Sequence, residues 1–385
     1  MSPTSPNIQE WFPSPQSDTY YNTAGAALTP RDVQREVADF LERLCGDMMS
    51  AIPDAISRMA RLRAHLAGLM NAEAREVAIL HHTAEAANVL AHGLRWNPGD
   101  IVLSLDREYP STIYPWMNLE KYYGVRLELL KEEEGRLDES RIAEEIRRIR
   151  PRLFAISAVE WTSGYHFDLE PLGRVCEEVG AFFFVDAAQA LGFWDIDVKR
   201  ARISGLAGSA WKWLFGPAGQ GYLYLREDLL DSVSPVFVGA DSVRNHGKTY
   251  FPYDFNFRDG MERFEYSTFS FSNMVWFDAG VRFVLERGLE NVRRHSFALA
   301  DLAMDALAEF GCLFRGNYPP ERRSGIMAFR IPGVDSLLLS KRLGSRGIVA
   351  KERDGCVRLS FHLYNTPRGI ATLRDALGEI LKGKA

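Results

Sequence analysis

The chain has 385 residues, too many for one ordinary domain of ~100–200 residues and suited to a large domain with a smaller one. Apolar residues make up 46% and charged residues 25%, which supplies a sizeable core and excludes global disorder. A net charge of -5 without a long basic run excludes nucleic acid as the default partner.

Residues 1–16 read as a polar, Pro/Ser-containing N-terminal segment with no apolar leader core. The first strand signal is 77–84 (VAILHHTA), which runs at once into a helical stretch, EAANVLAHGL. Further apolar strands are expected at 101–105, 125–130, 152–159, 181–187 and 220–225, with helices at 138–149 and 168–179 between them. Continuous apolar strands alternating with amphipathic helices predict an α/β fold, a mostly parallel sheet sandwiched by helices. The segment 240–262 is a long aromatic loop, of a kind that carries function or covers a partner. After about residue 275 the pattern changes. A long helix (288–310) precedes a strand at 326–331 and a helix capped by Asp335. Two strands near 348–352 and 356–362 follow, then a last helix opened by Thr366 and Pro367. The expected division is therefore a large domain over 17–275 and a smaller α+β domain over 276–385.

No stretch of ~18 apolar residues occurs, so no membrane span is expected. Four cysteines, at 45, 176, 312 and 356, lie far apart without a CxxC. That argues against a zinc ribbon or a disulfide framework and favours a reducing, cytoplasmic setting. His81 and His82 are neighbours on a strand, point to opposite faces and cannot readily chelate one metal. The lone loop residue His246 reads as solvated, and 216-GPAGQG-221 precedes a strand rather than a helix, so the dinucleotide fingerprint fails.

The chemistry concentrates in 181-AFFFVDAAQALG-192 and 205-GLAGSAWKWLFGPAGQGYLYL-225. Asp186 ends a buried strand, where open α/β sheets place their ligands, and a buried carboxylate needs a cation. Taken alone, it could equally cap the next turn. Lys212 lies among small and aromatic residues, which disfavours its ammonium form and favours a nucleophilic amine. A lysine snorkelling past tryptophans would look the same locally, but would not explain the company of Asp186, Gln189 and Ser209.

Seven ordered motifs then carry a family resemblance: YYNTAGAALTP (20–30), HHTAEAAN (81–88), EYPSTIYPW (108–116), VDAAQALG (185–192), SAWKWLFGPAGQGYLYL (209–225), RFEYST (263–268) and CVRLSFHLYNT (356–366). From Tyr21 to the last helix the chain resembles fold-type I pyridoxal-phosphate enzymes of the class V aminotransferase group, which includes cysteine desulfurases, isopenicillin N epimerase and kynureninase. The resemblance implies pyridoxal 5′-phosphate held by Lys212 as a Schiff base, with Asp186 paired to the pyridine nitrogen. It implies Gln189 at the phenolic oxygen, Thr83, Ala84 and Ser209 around the phosphate, and Tyr109 where the group often carries a ring-stacking histidine. Thr268 matches a position that reaches the neighbouring subunit's phosphate, implying a homodimer with shared sites. Arg358 matches the arginine for the substrate α-carboxylate, and Asn22 is a further expected substrate contact.

Two departures bear on the reaction. Desulfurases of the group carry a nucleophilic cysteine on the loop before that arginine, whereas 344-GSRGIVAKERDG-355 has none and Cys356 falls within a strand. Trp211 stands where desulfurases have histidine, and the family's asparagine near the phenolic oxygen is replaced by Glu160 or Trp161. The expected activity is a lyase that expels a β-leaving group such as a thiolate from an amino-acid conjugate. An aminotransferase is the next reading, then a decarboxylase, an epimerase or a non-enzymatic cofactor-binding regulator.

Overall fold

The structure, a computed structural model, describes residues 8–131, 138–244, 251 and 253–383; His246 lies outside them. A short helix α1 (Ile8–Trp11) leads to two long helices, α2 (Arg31–Gly46) and α3 (Met48–Met70). Then β1 (Val77–Leu80), α4 (Thr83–Gly93), β2 (Ile101–Leu105), α5 (Pro110–Tyr123), β3 (Arg126–Leu130), α6 (Glu139–Ile149), β4 (Leu153–Ser157), α7 (Leu169–Val179) and β5 (Phe182–Asp186) alternate as expected. Asp138 and Asp168 cap α6 and α7 by accepting from backbone N–H groups in their first turns. β6 (Gly205–Ser209) and β7 (Gly221–Leu225) complete a seven-stranded sheet ordered β1-β7-β6-β5-β4-β2-β3.

Helices cover both faces. The run FFFVD of β5 shows how: Phe183 and Val185 enter one core with Leu62, Leu66 and Phe277, while Phe184 enters the other with Leu90, Trp116 and Leu119. The strands pair in parallel except β7, which runs antiparallel between β6 and β1. An apolar run reports burial and not direction, so the sequence could not distinguish this strand.

Helix α8 (Phe271–Arg287) runs through residue 275 and packs on α2 and α3. After it come α9 (Leu289–Ala308), β8 (Leu313–Arg315), β9 (Ile326–Arg330), α10 (Ser336–Gly344), β10 (Lys351–Arg353), β11 (Cys356–Ser360) and α11 (Pro367–Lys382). The four strands form an antiparallel sheet ordered β10-β11-β9-β8, packed by α9 and α11 through Leu299, Met327, Phe329, Leu359 and Leu377. Asp335 caps α10 and Thr366 caps α11.

Residues 20–27 join the two sheets. Tyr21 exchanges backbone bonds with Val349 and Ser360 at 2.8 and 3.0 Å, and Ala27 then donates to the Trp211 carbonyl at 2.8 Å. This lays Ala24 and Gly25 across the carboxyl ends of the large sheet's central strands. No helix among the described residues is long and apolar enough to cross a membrane.

Candidate active site

In an open parallel sheet the carboxyl ends of the strands share one edge, and ligands collect there. Here β1 ends before the first turn of α4, β2 before Glu108 and Tyr109, and β4 at Ser157. β5 ends at Asp186 and β6 at Ser209. A cavity of about 170 Å³ opens at that edge. It is lined by Thr83, Ala84, Tyr109, Asp186, Gln189, Ser209, Lys212 and Arg358, eight of the ten residues expected from the sequence. Thr268 is absent from it: this residue is exposed and borders a separate depression beside Ile56 and Phe271. Asn22 also stays outside the lining and packs its side chain against Gly25, which does line it.

Lys212 sits in a tight turn after β6. Gly216 N–H closes the turn on the Ala210 carbonyl at 2.9 Å. Phe215 takes a left-handed conformation, φ +54°, which costs a bulky side chain roughly 1–3 kcal/mol. The buried Phe215 ring, packed on Phe12, Phe283 and His362, offsets that strain. Trp276 of α8 also donates to the Phe215 carbonyl at 3.0 Å. The helix approaches so closely that a Cβ on Gly280 would stand 2.5 Å from the Leu214 carbonyl oxygen.

Burial pushes the Lys212 amine down to about 8; Asp186 opposes this and Arg358 adds to it. Burial pushes the Asp186 carboxyl up, against Lys212 and an N–H bond from Ala188 at 2.8 Å. Lys212 Nζ stands 5.6 Å from the Tyr109 ring centroid, on a side chain that is itself 42% exposed and so free to meet a planar group.

Several contributors were not foreseen. Trp213 donates from Nε1 to Gln189 Oε1 at 3.0 Å, while Gln189 Nε2 donates to the Ala24 carbonyl at 2.9 Å, so the amide orientation is set from both ends. Trp213 directly follows Lys212, and an indole N–H in a buried setting needs an acceptor, which was the available signal. Glu108 accepts from Ser157 N–H at 2.8 Å and also bonds the Ser157 hydroxyl; burial pushes its carboxyl up to about 8.

Of the two residues that could stand in place of the family's asparagine, Trp161 lines the cavity. Its ring meets Tyr109 edge-on at 5.3 Å. Glu160 turns away and accepts from Thr162 and Ser163 at 2.6–2.9 Å. Arg358 is 3% exposed and donates to the Trp161 carbonyl at 2.7 Å. Burial holds its guanidinium down to about 10, with Arg353 adding to the effect.

The aminotransferase class-V family model matches residues 19–373. The chain belongs to that family. Class V relatives include a probable cysteine desulfurase of Pyrococcus abyssi, 26% identical with 98% of this chain and 97% of that protein covered. Another is isopenicillin N epimerase of Streptomyces clavuligerus, 29% identical over 92% of this chain and 93% of that protein. The solved apo cysteine desulfurase of Thermococcus onnurineus NA1 superposes with a TM-score of 0.88 at 25% identity, covering 99% of each chain. The cystine C–S lyase C-DES, solved with its product cysteine persulfide, shares the fold at TM-score 0.87 and 21% identity, covering 96% of this chain and 99% of that one.

This class V enzyme uses pyridoxal 5′-phosphate, and the cavity suits that group on its own chemistry. Ser209 Oγ is buried with no hydrogen-bond partner, as a donor reserved for a phosphate oxygen would be. Asp186 is a buried acid facing a site where a protonated ring nitrogen would satisfy it.

Proposed function

We propose that the protein is a β-eliminating C–S lyase acting on cysteine or a cysteine conjugate. The carrying observation concerns thiols. The cavity gathers an amine, an acid and two arginines, yet none of the four cysteines lines it. Cys356 is buried on β11, and burial pushes its thiol up, away from the nucleophilic thiolate. A desulfurase needs a cysteine to accept the sulfur; β-elimination does not.

When bound, pyridoxal phosphate supplies a carbonyl that takes the substrate's amine and a ring that withdraws electrons from its Cα. Thr83 and Ala84, at the first turn of α4, and Ser209 would hold its phosphate. Asp186 would keep its ring nitrogen protonated, and Gln189 would donate its remaining amide N–H to the phenolic oxygen. Tyr109 would cover one ring face. Arg358 would fork onto the α-carboxylate, and Asn22, behind Gly25, would support the same pocket wall. Lys212 would hold the cofactor between turnovers. Displaced by substrate, its amine would take the Cα proton; the electron pair left at Cα would form the Cα–Cβ double bond as the Cβ–S bond breaks and a thiolate leaves. Water hydrolyses the released enamine to a 2-oxo acid and ammonia.

The product test is direct. With L-cysteine, a lyase gives pyruvate, ammonia and sulfide. Alanine with sulfur left on the protein would contradict the reading and indicate a desulfurase.

Two further results are expected. Ser209→Ala removes a hydroxyl without a hydrogen-bond partner among the described residues, so apoprotein melting stays within about 0.5 kcal/mol of wild type. Cofactor affinity falls about tenfold or more, because a hydrogen bond to a charged group is lost. Equal cofactor affinity in titration would remove Ser209 from the phosphate site. The second result concerns pH. Only the neutral amine of Lys212 can attack an aldehyde, so capture of the cofactor by apoenzyme rises with pH and levels off above about 8. Continued acceleration to pH 10, followed by absorbance on mixing, would mean an ordinary solvated lysine.

The reading includes a homodimer with shared sites. Exposed Thr268 borders a depression shared with exposed Ile56, as a position serving a neighbouring subunit would. It also includes a division near residue 275 and a cytoplasmic setting, the latter supported by four free thiols.

A further inference from the structure

The β10–β11 hairpin places more positive charge at the cavity than one α-carboxylate requires. Lys351 lies opposite Arg358 and Arg353 opposite Cys356, so Lys351, Arg353 and Arg358 share one face of the hairpin. Arg353 is the diagonal neighbour of Arg358, within reach of long side chains, and like charges on one face are unfavourable unless an anion intervenes. Both arginines line the cavity.

The nearby acids do not neutralise Arg353. Asp354, at the hairpin tip, is held by Arg107 at 2.6 Å and Arg315 at 2.7 Å. Glu352 points to the opposite face and its carboxylate accepts from Gly355 N–H at 2.8 Å; Arg353 donates to the Glu352 backbone carbonyl, at 2.7 Å. No ion pair joins Arg353 to a carboxylate among the described residues. The cofactor's phosphate would not serve it either. That cradle lies at the ends of β1 and β6, whereas Arg358 contacts Trp161, beyond the end of β4 on the other side of β5.

We propose that Arg353 binds a second acidic group on the substrate, so that the enzyme takes amino acids whose side chains end in an anion such as a carboxylate or sulfonate. The assignment rests on the lyase reading and adds the substrate class to it. Arg358 takes the α-carboxylate, and Arg353, half-buried at the cavity mouth, takes the end of the side chain. For a C–S lyase the natural substrate is then an acidic S-conjugate of cysteine.

An acid and its amide of nearly the same shape provide the test: S-carboxymethyl-L-cysteine and S-carbamoylmethyl-L-cysteine, given to the holoenzyme. Turnover is followed by pyruvate release, and binding by the change in the cofactor's visible absorbance. The wild type is expected to favour the acid by about tenfold or more in kcat/KM. Arg353→Gln should erase that preference by raising KM for the acid while leaving the amide unchanged, and Arg353→Lys should retain part of it. Turnover of the amide serves as the control for folding. Equal turnover of acid and amide by the wild type overturns the Arg353 assignment and leaves the lyase reading standing. So does an equal loss on both compounds in Arg353→Gln. A wild type that binds both without releasing pyruvate from either overturns the lyase reading, and this assignment with it.

Discussion

Lys212→Ala is expected to cut turnover about 10⁴-fold, because one residue both holds the cofactor and moves the Cα proton. Borohydride reduction of the wild type should fix the cofactor's mass on the peptide containing Lys212, and the variant should carry none. Apoprotein melting of the variant at pH 7 checks its folding. The amine of Lys212 is pushed down to about 8 from 10.5, so below pH 8 its burial as an ammonium works against the folded state, and that cost fades as pH rises from 8 to 10.5. Removing the amine relieves that cost but also takes from the buried Asp186 carboxyl the cation that opposes its upward shift, so the two effects on apoprotein melting oppose each other. A cofactor still trapped covalently in Lys212→Ala would place the attachment elsewhere.

Arg358→Ala should weaken amino-acid binding by about 2–5 kcal/mol, roughly thirty- to several-thousand-fold, as expected when a buried charge loses its counterpart. The guanidinium is 3% exposed, and the protein spends one of its donors on the Trp161 carbonyl. The remaining donors suit a carboxylate's two oxygens. Deleting the side chain also frees the Trp161 carbonyl, so the variant loses some stability for reasons unrelated to substrate. Arg358→Lys separates the two effects. It keeps a charge near that carbonyl but loses the planar fork, so substrate affinity should fall between wild type and alanine. The change should appear in KM, with cofactor affinity unaffected. An unchanged KM for amino acids in both variants would move the carboxylate site elsewhere.

Much of this site was legible because its chemistry follows a simple rule of strand ends. Asp186 closes a run of apolar residues, and Lys212 lies among residues that exclude water; both signals are local. The motif order then linked segments far apart in the chain, such as Thr83 and Arg358, which periodicity cannot do. The antiparallel direction of β7 was illegible, because Gly221–Leu225 is buried on both faces, as is the parallel strand β4. Helices α2 and α3 were not anticipated, since nothing in the motifs pointed to them.

Arg353 was overlooked because it falls in the short gap between the strands expected near 348–352 and 356–362. Only the register of the hairpin reveals that its arginine shares a face with Arg358. Glu108 was passed over for the reverse reason: an acid beside Tyr109 looks exposed until Ser157 is seen to donate to it. Thr268 does not meet the cavity of its own chain, and a position expected to act across subunits cannot do so within one.

The decisive measurement is mass spectrometry of the cofactor and the small-molecule products after the holoenzyme is mixed with S-substituted cysteines and no 2-oxo acid acceptor. Many equivalents of 2-oxo acid and thiol per active site, with the cofactor recovered as the aldehyde, are the predicted result. A single equivalent of keto acid that retains the sulfur substituent, with the cofactor recovered as its amine, would contradict the account and make the protein an aminotransferase.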